Sequence, residues 1–170
     1  MRIAILGAHN VGKTALAEEL LAHLSGYTLE PEPYRQLELS GYEFSEKPTA
    51  EDFIEQFHYS AKRIPKSEDE VLFDRCVIDI LAYIHVLEPR KNIQSLYKIA
   101  QSISDEIDLF VFVPIEKPDR IPGSQTDFPK LRASVNALLL DWIQDFGIDV
   151  ITVSGSLSKR RDQVLTKVLS

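Results

Sequence analysis

The chain has 170 residues, 26 acidic and 19 basic, for a formal net charge of −7, with 44 % hydrophobic and 26 % charged residues. That is the profile of one soluble globular domain with room for its own core, and the lone Cys76 excludes an internal disulfide framework and points to a reducing, cytoplasmic setting. No apolar run reaches the ~20 residues of a membrane span, the first apolar run is too short for a signal peptide, and the acidic balance argues against coating nucleic acid.

β-Branched apolar runs alternate with helical patterns along the whole chain. Arg2–Leu6 is a continuous apolar run, followed by Leu16, Leu20, Leu21 and Leu24 at helical spacing. Tyr27–Glu30 reads as a second strand leading into the proline-marked Glu30-Pro31-Glu32-Pro33, and Leu37–Pro48 reads as a loop. Thr49-Ala50-Glu51-Asp52 has the form of a capping box, opening a helix whose apolar face is Phe53, Ile54, Phe57, Ala61 and Ile64. Glu70–Asp74 is expected to be a buried strand. Val77–Leu87 is apolar on nearly every side, which suits either a core helix or a homodimer interface. A polar helix around Ile93–Ile103 leads to a strand over Asp108–Pro114. Leu131, Val135, Leu138, Leu139, Trp142, Ile143 and Phe146 mark a long amphipathic helix, and a strand over Asp149–Val153 and a helix from about Ser158 close the chain. Five strands separated by helices imply parallel crossovers, hence an α/β fold with an open five-stranded parallel sheet between two helical layers. The proline-rich stretch 116–130 interrupts this rhythm beyond the fourth strand, where such sheets bind ligands, and is a candidate lid on a single domain spanning 1–170.

Gly7-Ala8-His9-Asn10-Val11-Gly12-Lys13-Thr14 fits G-x-x-x-x-G-K-[ST] between a strand and a helix. In such a P-loop the backbone N–H groups and the helix N-terminus cradle phosphates, the lysine reaches the terminal phosphates and the hydroxyl completes the shell of Mg²⁺. His9 occupies an undefined position, suited to a spacer or a substrate-side contact. A magnesium nucleotide site also needs a carboxylate at a strand end; Asp74 supplies it, with Arg75 beside it, while capping the following helix is its competing role. Asp108 and Asp149 open strands and so lie at the wrong end.

The chain has neither the Asn-Lys-x-Asp and Asp-x-x-Gly signals of a GTPase nor the paired acids of motor-type ATPases. A small-molecule kinase needs a general base and cations that close over the phosphoryl group. Glu32 is the candidate base, with Glu30 its competitor, and Lys117, Arg120, Lys130 and Arg132 are candidate lid cations, Arg120 and Arg132 foremost. The alternative is an ATPase or nucleotide switch acting through a protein partner.

The P-loop, Glu32-Pro33-Tyr34-Arg35, Phe73-Asp74-Arg75 with Asp79, Ala82 and Tyr83, and Val153-Ser154-Gly155-Ser156 with Arg160 resemble the AAA-type P-loop ATPase and kinase domains similar to the ribosylnicotinamide kinase domain, with features of deoxynucleoside kinases. The resemblance implies ATP and Mg²⁺, and a nucleoside-like acceptor. It implies Glu32 as base or substrate ligand with Arg35 in the same segment, Arg75 on phosphate, Gln56 reading the acceptor base, and Ser154, Gly155, Ser156 and Arg160 framing the donor base. Without the resemblance, Gln56 and Arg160 read as surface residues. Two features depart from the deoxynucleoside kinases: Cys76 stands where serine is common, and Arg120 and Arg132 are too far apart to form their arginine repeat.

Overall fold

Residues 1–121 and 125–170 are described by the computed structural model. Five strands, β1 (Arg2–Leu6), β2 (Thr28–Glu30), β3 (Val71–Asp74), β4 (Leu109–Phe112) and β5 (Val150–Thr152), form one parallel sheet in the order β2-β3-β1-β4-β5. β1 is central, and its residues Ile3 to Leu6 are fully buried. A strand covered on both faces has no solvent side, which is why β1, β3 and β4 read as unbroken apolar runs rather than alternating ones.

The helices are α1 (Lys13–Leu21), α2 (Pro33–Leu39), α3 (Ala50–Arg63), α4 (Val77–Leu87), α5 (Gln94–Ser104), α6 (Pro129–Asp145) and α7 (Leu157–Val168), with a 3₁₀ turn at Ile64–Lys66. α1 packs with α7, whereas α4 packs with α3, α5 and α6, giving the expected three layers. Every residue of α4 from Val77 to Ile84 is buried. Its all-round apolarity is spent inside the monomer, and the dimer-interface reading of this helix is thereby corrected.

Three local expectations also change. The Glu30–Pro33 stretch does not simply lead into a loop: Pro33 starts α2, its fixed φ suiting the first helical turn. The box at Thr49 is half made. Thr49 accepts the N–H of Asp52, but the Asp52 carboxylate is drawn away to the Tyr42 hydroxyl at 2.9 Å and the Ser45 N–H at 3.0 Å. At α4 the cap is Cys76, paired reciprocally with Asp79, so Asp74 does not cap that helix.

Because all strands run one way, the segments after Leu6, Glu30, Asp74, Phe112 and Thr152 emerge at the same edge. Each carries candidate site residues.

Candidate active site

The strand-to-helix turn after β1 is shaped by its two glycines. A Cβ on Gly7 would lie 2.5 Å from the Val113 carbonyl oxygen, and Gly12 holds φ at +94°, a left-handed backbone that side chains disfavour. Lys13 is buried, its ammonium donating to the Ala8 carbonyl at 2.5 Å. Burial, helped by the positive field of Arg75 and opposed by Asp79, Asp74 and Glu32, lowers its pKa to about 8.

Next to it the Thr14 hydroxyl donates to Asp74 Oδ2 at 2.6 Å, while Asp74 Oδ1 is buried with no partner. A hydroxyl and a carboxylate with spare acceptor capacity are hard oxygen donors of the kind Mg²⁺ takes alongside phosphate oxygens and water. Thr14 and Asp74 thus fit the expected metal. Among the described residues no cluster of three or more His, Cys, Asp or Glu is found.

Arg75 has φ +80°, a costly conformation for a side-chain-bearing residue and one that marks functional positions. Its guanidinium stacks 5.2 Å from the centre of the Tyr83 ring, and its Nε and one terminal nitrogen are buried without partners. Burial works to lower its pKa, but Asp79, Tyr83, Glu32 and Asp74 outweigh burial and raise it, so the cation is held ready. Asp79 is fully buried, accepting the N–H groups of Gly7 at 3.3 Å and Cys76 at 2.9 Å; burial raises its pKa against the pull of Arg75 and Lys13.

Glu32 lines one cleft with His9, Asn10, Gly12, Lys13, Thr14 and Arg75. Glu30, two residues earlier, is ion-paired to Arg63 in a small neighbouring pocket that shares Arg75 with this cleft. The structure therefore separates the two competing acids and leaves Glu32 facing the phosphate loop. Arg35 does not join it there: its side chain is 63 % exposed and reaches only Glu32, at 3.8 Å.

The expected lid cations part company. Lys117 and Lys130 are exposed, whereas Arg120 and Arg132 both line a cleft beside the P-loop. Arg120 is half exposed and bound to Glu116 at 2.5 Å. Arg132 is buried under the P-loop, bound to Asp119 and to the carbonyls of His9 and Asn10, so it is no mobile lid cation. Of the lid stretch, Pro122 and Gly123 lie outside the described residues.

On the far side of the P-loop, a second cleft is lined by Asn10, Val11, Gly12, Pro114, Glu116, Gly155, Ser156 and Arg160 among others. Gly155, Ser156 and Arg160 line it beside Arg120 and Arg132. Ser154 does not, because its N–H and carbonyl both engage the Gln163 side chain.

A third pocket lies at α2 and α3, lined by Tyr34, Phe44, Phe53 and Phe128 with Glu46, Asp52 and Gln56. Tyr34 stacks on Phe44 at 4.1 Å, and Phe53 lies parallel to Tyr83 at 4.5 Å. Gln56 is buried here, not on the surface. Tyr83 also ties this wall to the P-loop. Its oxygen sits 2.6 Å from both the N–H and Nδ1 of His9, and His9 Nε2 sits 2.5 Å from the Asp127 carbonyl. Burial, with the cations Arg75, Lys13 and Arg132, lowers the His9 pKa against the opposing hydrogen bond to Asp127. His9 is therefore a bridge between loop, helix and lid rather than a spacer.

The model of the AAA domain family matches residues 2–160. The chain belongs to that family. No curated protein matches it in sequence. Among solved structures this AAA domain shares its fold with the deoxyadenosine kinase from M. mycoides bound to products (TM-score 0.68, 15 % identity, 99 % of each chain covered). It is similar also to a thymidylate kinase from Ehrlichia chaffeensis (TM-score 0.68, 13 % identity, 100 % of this chain and 98 % of that one). The NadR protein in complex with NAD and AMP-PNP aligns with a TM-score of 0.74 at 16 % identity over 98 % of this chain and 48 % of its own, so the AAA domain here spans about half of NadR.

Several residues that build the site escape a reading of the sequence alone. Glu116 accepts from Gly155, Arg120 and Arg160, and Asp119 from Arg132. Both are acids in a loop, with no periodic pattern to mark them. The aromatic wall draws on four separated segments, so only Phe53, on the α3 apolar face, and Tyr34, within the Glu32–Arg35 block, had a signal.

Proposed function

We propose that this AAA domain is an ATP-dependent phosphotransferase that moves the γ-phosphoryl group to a hydroxyl of a small nucleoside-like or ribosyl acceptor. The observation that carries the reading is one cleft in which Lys13, Thr14, Arg75 and the Glu32 carboxylate converge, with a pocket on either side of it. A hydrolase needs only the donor pocket. The aromatic pocket at Tyr34, Phe44, Phe53 and Phe128 is of the kind that stacks a planar ring, and Asp52 and Gln56 bring polar edges to it.

In this reading the P-loop amides and Lys13 hold the β- and γ-phosphates, and Gly155 and Ser156 border the adenine, with Arg160 held on Val11 O and Glu116 beside them. Thr14 and Asp74 hold Mg²⁺, which when bound neutralises phosphate charge. Glu32 accepts the proton of the acceptor hydroxyl, and Arg75, with its unpartnered nitrogens, stabilises the phosphoryl group in transit. The resemblance to nucleoside and nucleotide kinases supports this class of acceptor. A cytoplasmic setting accords with it, and no helix among the described residues is long and apolar enough to cross a membrane.

The test is ADP release from ATP across nucleosides, nicotinamide riboside and nucleoside monophosphates, with Lys13→Ala as the blank. Acceptor-stimulated, Lys13-dependent release with a phosphorylated product is expected, and Glu32→Gln is expected to lower kcat by about 10²-fold or more. Turnover that no acceptor stimulates would refute the reading in favour of an ATPase.

A further inference from the structure

A trans peptide points the carbonyl of one residue and the N–H of the next in opposite directions. Three successive carbonyls of the P-loop are taken by two buried arginines from different helices. Arg132, on α6, donates from Nε to His9 O at 2.9 Å and from a terminal nitrogen to Asn10 O at 3.0 Å; Arg160, on α7, donates to Val11 O at 2.7 Å. The N–H groups of Asn10, Val11 and Gly12 are consequently turned away from the guanidiniums, and among the described residues they donate to no backbone carbonyl. Each arginine is in turn anchored by a loop carboxylate: Arg132 by Asp119 at 2.5 and 3.2 Å, Arg160 by Glu116 at 2.7 Å. Their relative exposures are 4 % and 6 %.

We propose that Arg132 and Arg160 are positioning residues that preset the P-loop for anion binding, taking three of its carbonyls so that the opposed N–H groups are left to the phosphates. The proposal rests on the nucleotide-binding reading above. An unsupported loop can turn these peptides either way, and a nucleotide must then order them at a cost in affinity. Four of the five guanidinium N–H donors of Arg132 are engaged by the loop carbonyls and Asp119, which fixes its plane against the P-loop. Lysine cannot replace it, because a single ammonium does not span two carbonyls and a carboxylate in one plane.

Calorimetric binding of MgADP without acceptor, together with backbone ¹⁵N order parameters of residues 10–12, tests this. Arg132→Lys and Arg160→Lys are each expected to weaken MgADP about tenfold or more and to lower the order of those amides in the free protein. Kcat at saturating ATP is expected to fall less than affinity. A cation acting on the phosphoryl group would behave the other way, with MgADP affinity and amide order unchanged and kcat reduced; that result overturns the proposal. Should Arg132→Lys lose its fold, Asp119→Asn keeps the guanidinium but removes its anchor, and is expected to weaken MgADP about threefold; unchanged affinity in folded Asp119→Asn and Arg160→Lys also overturns it. Wild-type protein that fails to bind MgADP refutes the functional reading itself, whereas wild-type binding undiminished in the variants refutes only the clamp.

Discussion

Lys13 carries its charge at a cost that the nucleotide is built to repay. Its pKa in the free fold is lowered from 10.5 to about 8, chiefly by burial. Between those two values the unfolded chain binds more protons than the folded one, so stability of the nucleotide-free protein rises with pH across that window. Phosphate favours the charged ammonium, so MgADP affinity is expected to fall above about pH 8 and binding to take up a proton there. Calorimetry in buffers of different ionisation enthalpy measures that uptake, and its absence would place Lys13 away from the phosphates. Tyr83 is a second residue with several duties. Tyr83→Phe leaves the His9 N–H and Nδ1 without their common partner and is expected to cost about 1–2 kcal/mol in urea unfolding, less than a fully buried loss because His9 is partly exposed.

At the scale of elements, α4 was the most legible. Its apolar run has no polar face to misplace, and Leu81→Ala within it is expected to cost about 2–5 kcal/mol, read from the shift of a denaturation midpoint. The segment before α3 was less so, since its order depends on Asp52, whose carboxylate gathers Tyr42 and Ser45 from the loop. Burial alone would raise the Asp52 pKa, but the hydrogen bonds from Ser45, Tyr42 and Thr49 prevail and lower it. The stability it lends is complete above the usual aspartate range and is lost as pH falls through the lowered value. Hydrogen exchange along Ser40–Pro48 is expected to quicken in that acid window in wild type, and in Asp52→Asn already at neutral pH. α2 escaped notice for a local reason: a Glu-Pro pair suits a turn as well as the start of a helix, and only the structure distinguishes them.

For the whole molecule, a site assembled from five segments at one sheet edge means that ligand binding braces elements far apart in sequence. MgADP at about a hundred times its Kd is expected to stabilise the fold by about 2.7 kcal/mol, raising Tm by about 5–10 °C, with the shift lost in Lys13→Ala. A thermal melt with and without MgADP checks this. The net charge of −7 does not oppose anion binding, because Lys13 and Arg75 stand together at the cleft while most acids lie elsewhere.

The strands, the helices that flank them and the P-loop were determined by the sequence itself, because continuous apolar runs, helical spacing and a glycine-bearing strand–helix turn are local patterns with local causes. What only the tertiary structure decided is how the polar residues are spent. Glu30 and Glu32 are two residues apart and chemically alike, yet one is bound by Arg63 and the other lines the phosphate cleft. Arg132 reads as a lid cation, and Arg160 as a surface residue or, by resemblance, a donor-base contact, but both donate to carbonyls of the P-loop. A charged side chain takes its role from the partner that desolvates and pairs with it, and in this fold those partners come from the far end of the chain.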